Sequence, residues 1–99
     1  MADQHAKPGS LHIRWSPRAE AAYENSLKYI AAQDVHAAVL VTQRVERALA
    51  VIQRHPETGT LMSRGLRRFP VPGTGYLIDY HVIKGEIRIT RWARHTRKA

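Results

Sequence analysis

The chain has 99 residues, 16 Lys and Arg against 8 Asp and Glu, and a formal net charge of +8. This length allows one small domain, which excludes Rossmann dehydrogenases, barrels and kinases. The chain contains no cysteine. Disulfide bonds, a zinc knuckle, a thiol nucleophile and an iron–sulfur cluster are therefore excluded too, and the fold depends on apolar packing.

The positive charge is concentrated in the last third of the chain. Residues 1–63 contain seven Lys and Arg and six Asp and Glu, a balance of +1, whereas residues 64–99 contain nine against two, a balance of +7. Such a basic region attracts anionic partners, which are either nucleic acid or an acidic protein segment. Composition does not distinguish these two partners.

The start of the chain has the composition of a tail. Residues 1–10 are polar, contain Pro8-Gly9 and lack the apolar core of a secretory signal. We therefore predict a flexible N-terminal tail over residues 1–10 and a single domain over residues 11–99. The longest apolar run, residues 37–41, is far shorter than the roughly 20 residues that cross a membrane. The sequence thus predicts a cytoplasmic protein without a membrane segment.

The first half of the chain predicts one strand and two helices. Alternating apolar residues indicate a short strand over Leu11–Trp15. Ser16 is a good N-cap and Pro17 suits the first helical position, so a helix begins there. Asp34 then caps a second, longer helix over about Val35–Arg54. Because the connection is so short, the two helices form an antiparallel hairpin.

The second half of the chain predicts strands joined by turns. After a loop over Glu57–Gly65, strand patterns cover Leu66–Val71 and Tyr76–Val82, and a last strand contains Ile87 and Ile89. The predicted element order is β-α-α-β-β-β. The expected fold class is α+β, with a helical hairpin packed on a small, mainly antiparallel sheet.

The sequence lacks the common motifs of catalytic and metal sites. No two of its six histidines lie three or four residues apart, and no cysteine or carboxylate cluster accompanies them, so we predict no metal site and no cofactor. No serine is surrounded by the glycines of a nucleophile elbow. Gly73-Thr74-Gly75 precedes a strand rather than the helix N-terminus that binds phosphate, and this segment predicts a turn.

Arginines on the predicted strands are the candidate partner-binding residues. They are Arg64, Arg67, Arg68, Arg88, Arg91, Arg94 and Arg97. Arginine binds phosphate or carboxylate bidentately, so an arginine-rich sheet suits an anionic partner. The alternative is that these residues only protect sheet edges from aggregation.

Two residues of the last strand stand out by their position. Arg91 shares the alternation of Ile87 and Ile89, so in a strand without a bulge its side chain lies on the core side. There it is either paired with an acid or placed in a concavity. By the same alternation Trp92 faces away from the core, where we expect it to be an exposed anchor for a partner.

Several segments occur together in this chain. Each segment alone is a weak motif, but their common order and spacing form a specific pattern. The segments are Ile13-Arg14-Trp15-Ser16-Pro17-Arg18-Ala19, His55-Pro56-Glu57-Thr58-Gly59, Tyr76-Leu77-Ile78-Asp79-Tyr80 and Ile87-Arg88-Ile89-Thr90-Arg91, before a tail with His95 and Arg97. These segments, over about residues 11–97, resemble the RelE/ParE superfamily of type II toxin–antitoxin toxins. The resemblance implies a small basic toxin that is neutralised by a co-expressed antitoxin, whose flexible acidic or amphipathic segment wraps along it. The complex would meet promoter DNA only through the antitoxin.

The superfamily contains two activities, and the resemblance leaves both open. RelE-type members cut mRNA in the ribosome with a base, an acid and groups that stabilise the phosphorane. Arg67 and Arg91 match their phosphate-stabilising arginines, and His95 would be the acid. These three residues would be catalytic if the protein is RelE-like.

ParE-type members have no hydrolytic site and act on DNA gyrase, whose cleaved DNA they trap. The present sequence resembles this branch more closely. No lysine lies between Lys28 and Lys84 to match the RelE lysines, and no tyrosine follows Tyr80. We therefore expect a gyrase inhibitor with no catalytic residues, and the alternative is a ribosome-dependent mRNA endoribonuclease.

Overall fold

The computed structural model describes residues 11–95. The predicted tail, residues 1–10, and Arg97 lie outside the described residues. The elements are β1 (His12–Trp15), α1 (Pro17–Gln33), α2 (Val35–Arg54), β2 (Thr60–Leu61), β3 (Arg67–Val71), β4 (Tyr76–Ile83) and β5 (Glu86–Arg94). The predicted β-α-α-β-β-β order is confirmed. The structure adds β2 within the expected loop, because two residues are too few to show a strand period in the sequence.

The five strands form one mixed sheet in the order β1-β5-β4-β3-β2. β1 runs parallel to β5, and every other neighbouring pair is antiparallel. The predicted mainly antiparallel sheet is therefore confirmed. β1 and β2 occupy the two edges, so the arginine-bearing strands β3 and β5 lie inside the sheet.

Both predicted helix N-caps are present. The Ser16 hydroxyl accepts a hydrogen bond from the Ala19 N–H at 3.0 Å, and the Asp34 carboxylate accepts one from the Ala37 N–H at 3.2 Å. Each bond satisfies an amide that the first turn of a helix leaves unpaired. Because Asp34 alone separates α1 from α2, the helices fold back as the predicted hairpin.

The core lies between the helical hairpin and one face of the sheet. Apolar residues of α2 recur at spacings of three and four, and the sheet supplies alternate residues of β3, β4 and β5. The buried members include Val41, Val45, Ala48, Ile52, Val71, Ile78, Tyr80, Ile87 and Ile89. Within residues 11–95, none of the helices combines the length and the hydropathy that a membrane crossing requires.

A β-bulge in β5 changes the direction of the side chains that follow it. The pairing of β4 with β5 shifts between Asp79 and Tyr80, which leaves Thr90 as an extra residue. Beyond such a residue the alternation is reversed, because strand side chains have a period of two. The Arg91 side chain is 61% exposed, whereas Trp92 is only 5% exposed. The prediction for Arg91 held only for a strand without a bulge, so the bulge removes its core-side placement, and the expected exposed Trp92 is wrong.

Trp92 belongs to an aromatic cluster in the core. Its ring stacks on Tyr76 at a centroid distance of 4.8 Å and meets the edge of Tyr23 at 4.7 Å. Trp15 stacks on the same Tyr23 at 5.1 Å. The indole N–H of Trp92 donates a hydrogen bond to the Ser26 hydroxyl at 3.0 Å. Trp92 thus joins α1 to β5 and is not available as a surface anchor.

Candidate functional site

An ion pair between Arg68 and Asp79 lies at the centre of the candidate site. Asp79 lies in β4 between the core residues Ile78 and Tyr80. The carboxylate, which is 1% exposed, accepts two hydrogen bonds from the Arg68 guanidinium at 2.8 and 3.0 Å. These hydrogen bonds raise the pKa of Arg68 above its ordinary value. The pair is therefore a fixed, bidentate unit.

A second arginine approaches the same carboxylate from the bulge. The Arg91 Nη1 lies 4.0 Å from Asp79 Oδ2, and the Thr90 hydroxyl donates a hydrogen bond to the Asp79 carbonyl oxygen at 3.4 Å. Arg68 and Arg91 were both predicted from the sequence as partner-binding residues. The structure brings these two together across β4, with Asp79 between them.

A cavity of about 550 Å³ opens beside this pair, and we call it the Asp79 pocket. One wall comes from the first turns of α1, at Arg18 and Ala22, and the other comes from Arg68, Asp79 and Arg91. Three arginines and one aspartate line the pocket, a formal balance of +2. Such a local excess of positive charge attracts an anion.

Arg67 lies beside Arg68 in sequence but supports a loop outside the Asp79 pocket. Its guanidinium donates hydrogen bonds to the carbonyl oxygens of Glu57 and Gly59 at 3.0 and 2.9 Å. On the paired strand, the buried Tyr80 hydroxyl accepts a bond from the Gly59 N–H at 3.0 Å. A Cβ at Gly59 would lie 2.8 Å from that hydroxyl, so glycine is required there. Arg67 and Tyr80 together hold the chain that follows α2.

The hydroxyl of Tyr80 also closes this loop from its other end. It donates a hydrogen bond to the Pro56 carbonyl oxygen at 2.7 Å. Burial raises the pKa of the Tyr80 phenol above its ordinary value. The predicted loop over Glu57–Gly65 is thus fixed at its start by hydrogen bonds that the sequence does not reveal.

Arg88 and Arg94 lie away from the Asp79 pocket. Arg88 donates a hydrogen bond to Glu86 at 2.7 Å, and this bond lowers the pKa of the glutamate. The Arg94 guanidinium lies 5.6 Å from the ring centroid of Tyr76, a cation–π distance. Both side chains remain on the surface, where a partner can reach them.

Arg64 lies in a turn and His95 directly follows β5, so neither residue belongs to the sheet. Arg64 is exposed and adopts a φ of 59°, in the short turn between β2 and β3. The His95 N–H donates a hydrogen bond to the Gly75 carbonyl oxygen at 2.7 Å. Within residues 11–95 the predicted partner-binding arginines therefore do not form one site: Arg68 and Arg91 line the Asp79 pocket, and the others lie outside it.

An apolar groove on α2 contains residues that the sequence analysis did not select. Arg44, Arg47 and Arg54 lie along it, and Val51 and Phe69 contribute apolar surface. Two adjoining cavities of about 260 and 410 Å³ share Arg47 and Val51, and we call them together the α2 groove. The spacing of these α2 residues by three and four positions was a signal in the sequence, because it places them on one helix face.

Comparison with solved structures finds the same fold in two other proteins. The fold is similar to a chain of the chromosomal ParDE TA system from P. aeruginosa, with a TM-score of 0.75 and 16% identity over 90% of this chain and 100% of that one. It is also similar to the isolated E. coli RelE toxin, with a TM-score of 0.64 and 15% identity over 90% of this chain and 88% of that one. The predicted RelE/ParE fold is therefore confirmed.

A family model described as the ParE toxin of the type II toxin–antitoxin system, parDE, matches residues 13–98. The match spans most of the chain, so the protein belongs to the ParE toxin family. None of the curated proteins matches it. The predicted membership of the RelE/ParE superfamily, closer to its ParE branch, is confirmed.

Proposed function

We propose that this type II toxin inhibits DNA gyrase in the cytoplasm and is neutralised by a cognate antitoxin. The observation that carries the proposal is the ParE family match over residues 13–98. The higher TM-score with the ParDE chain, 0.75 against 0.64 for RelE, supports the same branch.

The placement of two arginines favours binding over RNA cleavage. A RelE-like reaction needs an acid, a base and phosphate-stabilising groups that converge on one phosphate. Arg67 donates its hydrogen bonds to loop carbonyl oxygens, whereas Arg91 lies beside Asp79 and lines the Asp79 pocket, which Arg67 does not line. This divergence supports a toxin that acts by contact with a protein target.

Adding the purified toxin to gyrase is expected to stop supercoiling and to accumulate cleaved DNA. The physical reason is that a protein bound to the cleaved complex stabilises it against religation. Supercoiling and cleavage assays on plasmid DNA measure both effects. The control is the same toxin mixed beforehand with its antitoxin, which should relieve both.

An unaffected gyrase at large molar excess of folded toxin would contradict this proposal. The same preparation should then be tested for mRNA cleavage in a translating extract. Cleavage that disappears in both Arg91→Ala and His95→Ala would establish the ribosome-dependent alternative.

The α2 groove suits an acidic amphipathic segment, and we assign the antitoxin to it. Val51 is 41% exposed and provides an apolar contact, while Arg44, Arg47 and Arg54 provide positive charge along the groove. An amphipathic helix binds such grooves through its apolar face, and charge complementarity sets its orientation and association rate. The sheet arginines Arg68 and Arg91 add to the field that attracts an acidic chain.

Val51→Glu is expected to weaken antitoxin binding about 100-fold, since it places a carboxylate in the contact and repels an acidic partner. Calorimetry with the cognate antitoxin measures the change in Kd. Val39→Glu is the matched control, because Val39 is on the same helix and has a similar exposure of 46% but lies outside the groove. A larger loss for Val39→Glu than for Val51→Glu would contradict the assignment.

A further inference from the structure

The Asp79 pocket holds more positive charge than its single carboxylate neutralises. Asp79 is already paired bidentately with Arg68. Arg91 lies 4.0 Å from the same carboxylate, beyond the distance of a hydrogen bond. Arg18 is exposed and forms no ion pair with any other residue between 11 and 95. The guanidinium groups of Arg18 and Arg91 are therefore both available to a ligand.

A phosphate monoester matches this charge better than other common anions. It carries about −1.5 to −2 charges at pH 7 and presents three acceptor oxygens. Arginine binds such oxygens in a bidentate geometry. A carboxylate or a phosphodiester has a single negative charge and would neutralise only one of the two arginines. Arg18 also lies in the first turn of α1, where the helix dipole favours an anion.

The remaining wall of the pocket suits the uncharged part of such a ligand. Ala19 and Ala22 are the residues that α1 presents beside Arg18, and Leu66 adds apolar surface from the chain before β3. The small alanine side chains leave room for a flat ring. The volume of about 550 Å³ lies within the range of small-molecule sites. A nucleotide combines a phosphate group with such a flat ring, its base.

We propose that the Asp79 pocket binds a nucleoside 5′-monophosphate, either as the free nucleotide or as the 5′-phosphorylated end of a DNA strand. Arg91 and Arg18 bind the phosphate group. Asp79 is a positioning residue, because its buried carboxylate holds Arg68 and orients Arg91 at the pocket wall. This binding requires neither gyrase nor antitoxin, so its test is independent of the test of the proposed function.

Titration of the full chain with deoxyadenosine monophosphate tests the proposal, with deoxyadenosine as the unphosphorylated comparison. A short single-stranded oligonucleotide is titrated with and without a 5′ phosphate. We expect a difference in at least one of these comparisons, the mononucleotide against the nucleoside or the oligonucleotide with against without its 5′ phosphate. In that comparison the phosphorylated form should bind and the unphosphorylated form should not. Preference for the mononucleotide identifies the free nucleotide as the ligand, and preference for the phosphorylated strand identifies a DNA end.

Arg91→Gln and Arg18→Gln are each expected to weaken this binding about 10-fold, as loss of a charge-assisted phosphate contact does. Arg88→Gln is the matched control, because it removes the same charge from the same strand outside the pocket. It should change the affinity by less than about twofold, as expected for a screened surface charge.

Four results would overturn the proposal. Equal losses for Arg88→Gln and Arg91→Gln would indicate general attraction to a basic surface. Equal binding of phosphorylated and unphosphorylated forms would exclude the phosphate monoester, and so would no binding of either. An acidic peptide that binds more tightly than the nucleotide, and loses its affinity in Arg91→Gln, would assign the pocket to a protein partner.

Discussion

Trp92→Ala is expected to lower the free energy of unfolding by about 3–5 kcal/mol, the usual loss when a large aromatic side chain is removed from a core. Trp92 is 5% exposed, packs on Tyr76 and Tyr23 and donates a hydrogen bond to Ser26. Its removal therefore leaves a cavity and an unpaired hydroxyl. Denaturant unfolding followed by circular dichroism measures the change.

Tyr29→Ala is the control for this prediction, because Tyr29 is an aromatic residue that is 66% exposed. Its loss should change the stability by no more than about 0.5 kcal/mol. If the alanine variant of Trp92 does not fold, Trp92→Phe removes only the Ser26 bond and part of the ring, with a loss of about 1 kcal/mol. Variants of Trp92 that are as stable as Tyr29→Ala would show that the ring is on the surface and that β5 has no bulge.

Arg68→Met is expected to lower the free energy of unfolding by about 2–3 kcal/mol, because it leaves the buried Asp79 carboxylate without its bidentate partner. This loss of stability is smaller than for a fully buried ion pair, because one third of the Arg68 side chain is exposed. In addition, Arg91 remains 4.0 Å from the Asp79 carboxylate. Adding Asp79→Asn to this variant removes the unpaired charge and should recover part of the loss. The same unfolding measurement applies to the single and double variants.

Arg88→Met is the matched control for the ion pair. Arg88 also pairs with a carboxylate, Glu86, at 2.7 Å, but on the surface, where such pairs contribute little to stability. We expect almost no change in the denaturation midpoint. An equal effect of Arg68→Met and Arg88→Met would mean that Asp79 is solvated, and it would remove the support for a fixed pocket wall.

Much of the fold was predictable because its signals are local. Ser16, Pro17 and Asp34 act on helices that begin within a few residues of them. The apolar alternation of β4, from Tyr76 to Tyr80, likewise needs no knowledge of the partner strand. The order of the sequence segments was sufficient to identify the resemblance to the RelE/ParE superfamily and to its ParE branch.

The candidate site was predicted only in part. Arg68 and Arg91 were selected from the arginines of the basic third, and the structure brings both to Asp79. Arg18 was missed, because nothing in the sequence indicates that the first turn of α1 faces β3, β4 and β5 across one cavity. The α2 groove was missed as well, although the helical spacing of Arg44, Arg47 and Arg54 was present in the sequence.

The sequence by itself determined the elements, their order, the basic charge and the family. The tertiary structure decided which way the last strand points its side chains. The bulge is visible in the sequence only as a spacing: Ile89 and Trp92 are three residues apart, where neighbouring residues on one face of a regular strand are two apart. Beyond a bulge the face of each residue depends on its register with the neighbouring strand. Pairing with β4 therefore buried Trp92 and placed Arg91 beside Asp79.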